Sequence, residues 1–376
     1  MKVLIAGDYS PKDRVRQLIV DGKAEGVLSS VKDVINGVDY AIVNFESVVT
    51  TGKEKLIKKA GPGMYCPSES VGLLKEAGFS AVTLANNHIR DYGDDGVRNT
   101  IAALKNAALD YVGGGLDINE ADAVLYKQVK GKTLAVINVC EHEFSIATEK
   151  QCGAAALDVV KESRKIRIAH SMAEYVIVII HGGNEHYQLP SPRMKSLYRF
   201  FIEMGADAVV NHHQHCYSGY EVYQGKPIFY GLGNFCFDWN GRRGSIWNEG
   251  YMVSLTLDST IGFELIPYIQ CDEEPRVVLL NEAQSTNFFD NIGKLNNIIS
   301  NDKILEEEYE AFCRKRKHSI ICPFTPYLNS YVRIAAGRHY LPYLIPKQKL
   351  CGQINFIECE SHRDVLLKVL HEELEK

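Results

Sequence analysis

The sequence predicts a mixed α/β protein, and three observations carry that reading. Up to Tyr230, short apolar runs rich in β-branched residues alternate with segments of helical spacing. Each apolar run ends abruptly in polar residues rather than fading out. Two later runs, 252–257 and 263–268, have the spacing of a β-hairpin at a sheet edge.

The elements follow in order. Residues 3–6 read as a buried strand ending in Gly7-Asp8. Residues 15–29 have helical spacing, weakened by Gly22 and Gly26. A strand at 40–43 ends in Asn44-Phe45-Glu46, and a polar loop with four lysines fills 51–67. Residues 68–77 read as a helix, with Ser68 as N-cap and Gly78 as its stop. A strand at 79–84 ends in Asn86-Asn87-His88, and 96–108 is an amphipathic helix. A strand at 133–139 precedes Glu141-His142-Glu143, and 155–171 is a charged helix. Strand 175–180 ends in His181, helix 191–204 follows, and strand 207–210 ends in Asn211-His212-His213-Gln214-His215. A run at 227–230 ends in Gly231-Leu232-Gly233-Asn234. Beyond Cys271 the composition changes. Residues 281–300 are Asn-rich and polar, 304–316 are charged and helical, 323–343 are aromatic, and 363–374 read as an amphipathic terminal helix. The expected organisation is one domain over 1–275 and a mostly helical extension over 276–376.

The 376 residues are 45% hydrophobic and 24% charged, enough for a sizeable soluble core. A net charge of -5 gives no electrostatic case for nucleic acid or an anionic membrane surface. The ten cysteines include no CxxC pair and read as reduced core thiols. The apolar run in MKVLIAGDYS is too short for a signal sequence, and no run is long enough for a membrane span, so the expectation is a cytoplasmic protein.

Ligands in α/β sheets bind beyond the carboxyl ends of strands. Here those ends carry Asp8, Glu46, Asn87-His88, His181, and His213 with His215. Carboxylate, amide oxygen and imidazole are the inventory of a dinuclear metal centre. Their order resembles that of the calcineurin-like metallophosphoesterases, whose elements run DxH, GDxxD, GNH[DE], an isolated His, then GHxH. One branch resembles the chain more closely, the bacterial capsule-synthesis proteins of the poly-gamma-glutamate (CapA) type. The residues that carry this are Gly7-Asp8, Asn44-Phe45-Glu46, Ala85-Asn86-Asn87-His88 with Asp91 and Gly93, and His181-Gly182-Gly183-Asn184-Glu185. Then come Gly205-Ala206-Asp207 leading to His212–His215, and Tyr230-Gly231-Leu232-Gly233-Asn234-Phe235. The likeness covers roughly residues 1–270 and not the C-terminal hundred.

The resemblance implies a four-layer αββα sandwich with ligands on one edge of its two sheets. It implies Asp8 and His215 on a first metal, Asn87, His181 and His213 on a second, and Glu46 bridging them. His88 would stand near the leaving group, as general acid or electrostatic stabiliser, with Asp91 orienting its ring. Glu185 and His186 would either bind substrate, support the site, or face solvent. Asn234 would either donate to a substrate oxygen or form a turn. His212, Arg242-Arg243 and the lysines of 53–59 read as structural or solvated. The cofactor would be one or two divalent ions, Mn, Fe or Zn. The implied function is a phosphoesterase-like hydrolase in capsule or exopolymer biosynthesis, acting on an anionic or polymer-precursor substrate. The other reading is a non-catalytic accessory of a capsule-synthesis complex, and amide hydrolysis is a third. One departure bears on this choice. The segment Asp8-Tyr9-Ser10 lacks the DxH histidine, so one shell has an imidazole fewer.

Overall fold

The computed structural model describes residues 1–59, 61–321 and 330–342. The chain divides into two compact units, Met1–Glu306 and Glu307–Lys376.

The first unit is built on two sheets. In the eight-stranded sheet, Lys2–Tyr9, Tyr40–Phe45, Ala81–Thr83 and Asp110–Val112 run parallel, in that spatial order. On the other side of Lys2–Tyr9 lie Glu249–Leu257, Ile261–Gln270 and Val277–Leu279, all antiparallel to their neighbours. The short strand Asn234–Cys236 pairs alongside the end of the first strand. In the six-stranded sheet, Lys132–Cys140, Tyr175–His181, Ala208–His212 and Lys226–Phe229 are parallel. Leu125–Val129 and Tyr220–Tyr223 close the two edges antiparallel.

Alternation of side chains explains the layering. Val3, Ile5, Ile42 and Ala81 of one sheet share a core with Val136, Ile177, Ile179, Ala208 and Val210 of the other. Their neighbours Leu4, Ala6, Ala41, Val43 and Val82 face outward, onto Val15, Leu74, Val97 and Ile101 of the helices Asp13–Val20, Glu69–Ala77 and Gly93–Asn106. On the far side, Val176, Val178, Ile180 and Val209 meet Ile166, Leu197 and Phe201 of the helices Val159–Met172 and Pro192–Glu203. The result is a four-layer αββα sandwich, as expected. Strands buried on both faces read as continuous apolar runs, which is why the sequence reveals them.

Several boundaries differ from the sequence reading. The first helix stops at Val20, because Gly22 turns the chain at φ +67, and two short 3-10 turns follow where helix was expected. Ser68 makes no side-chain cap. The stretch past 275 belongs with the first unit: Val277–Leu279 adds a strand, and Glu282–Ser300 is a 19-residue helix. That helix opens on a reciprocal Asn281–Gln284 capping box and buries Phe288, Ile292 and Ile299. Its Asn-rich exposed face hid a three-residue apolar stripe. The helix Asp302–Ile321 begins within the first unit, and Ser330–Gly337 is a helix of the second. The terminal helix expected at 363–374 and most of the aromatic stretch lie outside the described residues. Among the described residues, Cys66, Cys140, Cys152, Cys216, Cys236, Cys271 and Cys313 are free thiols. No described helix is long and apolar enough to cross a membrane.

One backbone crossing places the first polar strand end. The pairing of Lys2–Tyr9 with Tyr40–Phe45 slips between Ala6 and Asp8. This bulge reverses the alternation, so Asp8 points into the space between the sheets while Tyr9 joins the outer core. It forms where Gly7 meets Gly233: the Asp8 amide donates to the Gly233 carbonyl at 3.1 Å. A Cβ on Gly7 would sit 2.0 Å from that carbonyl oxygen. The substitution Gly7→Ala is therefore expected to cost about 3 kcal/mol or more, because the opposing atom is backbone and cannot step aside. Denaturant unfolding measures it; a loss under 1 kcal/mol would mean the bulge relaxes freely.

Candidate metal centre

The carboxyl ends of both sheets' parallel strands open onto the same buried space. Asp8 and Asn44 stand side by side on paired strands, with the Asn44 amide donating to Asp8 Oδ1 at 2.7 Å. Asn44 Nδ2 also lies 3.3 Å from His181 Nδ1 on the opposite sheet. His181 and His212 are register partners on adjacent strands. Directly after His212 the backbone turns left-handed, with φ +91 at His213 and +57 at His215. These are costly conformations for side chains of this size. They are held by Asn211, whose buried amide donates to the carbonyls of Gly182, His212 and Tyr230 and accepts from the Tyr198 hydroxyl at 2.6 Å.

The outcome is two triads that share one carboxylate. Glu46, His181 and His213 bring one ligand atom each within 4.8 Å of one another, and so do Asp8, Glu46 and His215. All of them are buried. Asn87 Oδ1 reaches the first of these groups, 3.0 Å from His181 Nε2, while Asn86 makes the turn by bonding the Phe45 carbonyl and the His88 amide. His181 Nε2 and His213 Nδ1 face each other at 3.1 Å.

Electrostatics support a metal there. Burial pushes the Glu46 carboxyl well above its ordinary range, and the charges of Asp8, Glu185 and Glu143 push it further. Burial would also raise Asp8, but hydrogen bonding to His212 and the imidazoles of His212, His181 and His215 outweigh it and hold that carboxyl far below its usual range. Burial, with the charge of His213 adding to it, lowers His181 well below a free imidazole. Burial lowers His215 to about 4, although Asp8 works in the opposite direction. Both Glu46 oxygens lack any hydrogen-bond partner in the described protein. A fully buried carboxylate with two orphaned oxygens, ringed by acceptor atoms and imidazole nitrogens, fits a cation.

Other predicted residues lie around this centre. His88 Nδ1 is 2.7 Å from Asp91 Oδ2, and its Nε2 is 3.8 Å from Glu46 Oε1. Glu185 and His186 are at the rim: Glu185 is half-exposed but within the field of His215, His213 and His88, and the His186 ring is 5.9 Å from that of Trp247. Asn234, expected either to donate to a substrate oxygen or to form a turn, has its polar atoms taken up within the protein. It is fully buried, its amide protons go to the carbonyls of His215 and Trp247, and its oxygen meets His215 Nδ1 at 3.0 Å. It orients His215, leaving the Nε2 of that ring toward Glu46 at 3.7 Å. His212, read as structural, is buried with Nδ1 3.1 Å from Asp8 Oδ1.

Two residues at the centre escaped the sequence reading. Glu143 Oε1 lies 3.6 Å from His213 Nε2, and its Oε2 is 3.5 Å from the Asn87 amide. Lys59, taken for a solvated loop lysine, has a buried side chain paired with Asp91. Both come from loops, where no periodicity marks which way a side chain turns.

The family model described as bacterial capsule synthesis protein PGA_cap matches residues 2–239. The chain belongs to the bacterial capsule synthesis protein family. Every residue of the two triads lies inside the matched region. Among relatives, this capsule synthesis family member is similar to capsule biosynthesis protein CapA of Bacillus anthracis, 33% identical over 251 residues, 65% of this chain and 61% of that one. It is similar to PGA biosynthesis protein CapA of Bacillus subtilis (strain 168), 33% identical over 269 residues and 69% of each chain. It is also similar to a probable polyglutamine synthesis accessory protein of Mycobacterium tuberculosis, 28% identical over 246 residues, 61% of this chain and 64% of that one. The aligned part thus spans roughly three fifths to two thirds of the relatives' lengths.

Proposed function

We propose that this capsule synthesis family member is a metal-dependent hydrolase of the calcineurin-like, phosphoesterase type, acting on an anionic intermediate of capsule or exopolymer biosynthesis. The observation that carries this reading is the pair of triads joined by Glu46, whose two oxygens have no partner in the described protein. Glu46, Asp8 and His215 would hold one divalent ion, and Glu46, His181, His213 and Asn87 the other, with Mn, Fe and Zn all suited to such a shell. When bound, such a pair supplies Lewis-acid polarisation of a phosphoryl oxygen and lowers the pKa of water toward neutrality.

The chain's own residues supply the rest. His88 is held by Asp91 through Nδ1, which leaves Nε2 turned to the Glu46 side of the centre, where it stabilises or protonates a departing oxygen. Asn44 donates to Asp8, with His212 Nδ1 standing 3.1 Å from the same carboxylate, and Asn234 bonds His215, so the ligand side chains are oriented before any ion arrives. His186 stands between Glu185, 3.9 Å from its Nε2, and the Trp247 ring at 5.9 Å. The Trp247 ring lies 4.7 Å from that of His215, tilted to it at 39°.

A second reading has its own observation. Ser10 stands where the superfamily carries the DxH histidine, and it is buried with its amide bonded to the Cys236 carbonyl. The triad of Asp8 and Glu46 therefore has one imidazole, that of His215, and a non-catalytic accessory of polymer synthesis needs no more. Metal content separates the readings. On the hydrolase reading, purified protein supplied with Mn2+ takes up near two equivalents and cleaves 4-nitrophenyl phosphate esters. Asp8→Ala and His213→Ala each fall to about one equivalent and lose turnover. No uptake under any loading condition would leave the accessory reading.

A further inference from the structure

A lysine buried beside the catalytic imidazole needs a reason. The Lys59 side chain is 2% exposed and Asp91 is fully buried. The Lys59 ammonium pairs with Asp91 Oδ1 and lies 3.1 Å from His88 Nδ1. The other carboxylate oxygen, Oδ2, faces His88 Nδ1 at 2.7 Å and accepts the Met64 amide at 2.7 Å. The segment that carries Lys59 is tied to the same residue again, by the Ile57 amide donating to the Asp91 carbonyl at 2.8 Å. Three separate contacts therefore converge on Asp91 from one loop, and Asp91 in turn holds His88.

Stability alone is a poor explanation. Burying an ammonium gains little net free energy even when it is well paired, and an apolar side chain of similar length fills the same space at lower cost. What a cation does here that an apolar group cannot is to occupy Oδ1. A carboxylate with one oxygen free rotates or rebinds; with Oδ1 taken by Lys59 and Oδ2 shared by Met64 and His88, it has a single orientation.

We propose that Lys59 is a positioning residue for His88: by fixing the Asp91 carboxylate it sets the direction in which His88 Nε2 points across the metal centre. The proposal rests on the hydrolase reading for its catalytic consequence, and on geometry alone for its structural one. The effect of losing Lys59 falls on the step that expels the leaving group, because that is where His88 acts, and not on metal uptake.

The test compares wild type with Lys59→Met, Lys59→Gln and Lys59→Arg, the second variant keeping a donor without charge should the first fold poorly. Turnover of 4-nitrophenyl and phenyl phosphate esters is measured with Mn2+ supplied. The His88 ring is followed by 15N-imidazole NMR of the Zn2+-loaded protein, its signal identified by its absence in His88→Gln. The expected result is a kcat about 10–100-fold lower in the Met and Gln variants, with KM and metal content within about twofold. The loss is larger for the phenyl ester, whose leaving group depends more on His88. The His88 signal shifts in both variants, and Lys59→Arg restores most of the rate and the signal. The proposal is overturned if the uncharged variants keep both the rate and the His88 signal, if rate and metal content fall together, or if the two esters lose equally. If wild type turns over neither ester, the hydrolase reading fails; the His88 signal then decides, a shift supporting the positioning role and an unmoved signal overturning it.

Discussion

Glu46→Gln is expected to abolish tight uptake of both ions while making the metal-free protein less sensitive to alkaline pH. Glu46 belongs to both triads, so its loss removes a charged ligand from each, unlike Asp8→Ala or His213→Ala. Turnover should fall by about a thousandfold or more, the equivalent of roughly 4 kcal/mol of lost Lewis-acid stabilisation. The stability effect runs the other way, and its sign follows from linkage. Burial and the Asp8 charge raise the Glu46 carboxyl in the folded state above its unfolded value. Below its unfolded pKa both states carry the proton and nothing is lost. As pH rises above that value the unfolded chain releases the proton first, so metal-free wild type loses stability until the folded carboxyl ionises too. The slope is at most about 1.4 kcal/mol per pH unit. Gln carries no such proton. Thermal unfolding of both proteins in chelator, from pH 5 to 9, should show wild type falling relative to Glu46→Gln, the gap closing when metal is added. Parallel curves would mean that Glu46 is compensated within the protein and has no need of a cation.

His88→Gln should leave metal content near the wild-type value and lower kcat by about 10²–10⁴-fold, the span of a lost acid–base group. The imidazole contributes no atom to either triad, yet its Nε2 is 3.8 Å from the shared carboxylate. Asp91→Asn should cost less, about 10–100-fold, because it loosens the ring without removing it. Mn2+ titration beside single-turnover kinetics distinguishes these outcomes. A His88→Gln protein as active as wild type would move the leaving-group role elsewhere in the site, with Glu185 and His186 the nearest alternatives.

Much of the site was legible because the fold announces its edges. A strand buried on both faces must be apolar throughout, so an acid, amide or imidazole that ends the run marks the place where the chain leaves the core. Asp8, Glu46, Asn87, His181, His213 and His215 were read this way, and all but Asn87 fall in the two triads. The elements missed had weak or divided signals. The edge strands Leu125–Val129 and Tyr220–Tyr223 are half-exposed and mix polar with apolar residues. The Glu282–Ser300 helix buries few of its 19 residues.

By itself, then, the sequence determined a mixed α/β chain, the order of its strands' polar ends and its resemblance to a family, which in turn implied the sandwich. Those follow from local hydrophobic pattern and from residues at fixed spacing, and both survive in one dimension. Tertiary structure alone decided which polar groups face one another. The Gly7–Gly233 contact joins positions more than two hundred residues apart and turns Asp8 inward against the strand's own alternation. Asn234 was free to reach substrate until its protons met the carbonyls of His215 and Trp247. Lys59 and Glu143 looked like loop charges until the chain folded their loops over the centre. The physical reason is the same in each case. A buried polar atom is defined by its partners, and those partners are set by long-range packing that no stretch of sequence contains.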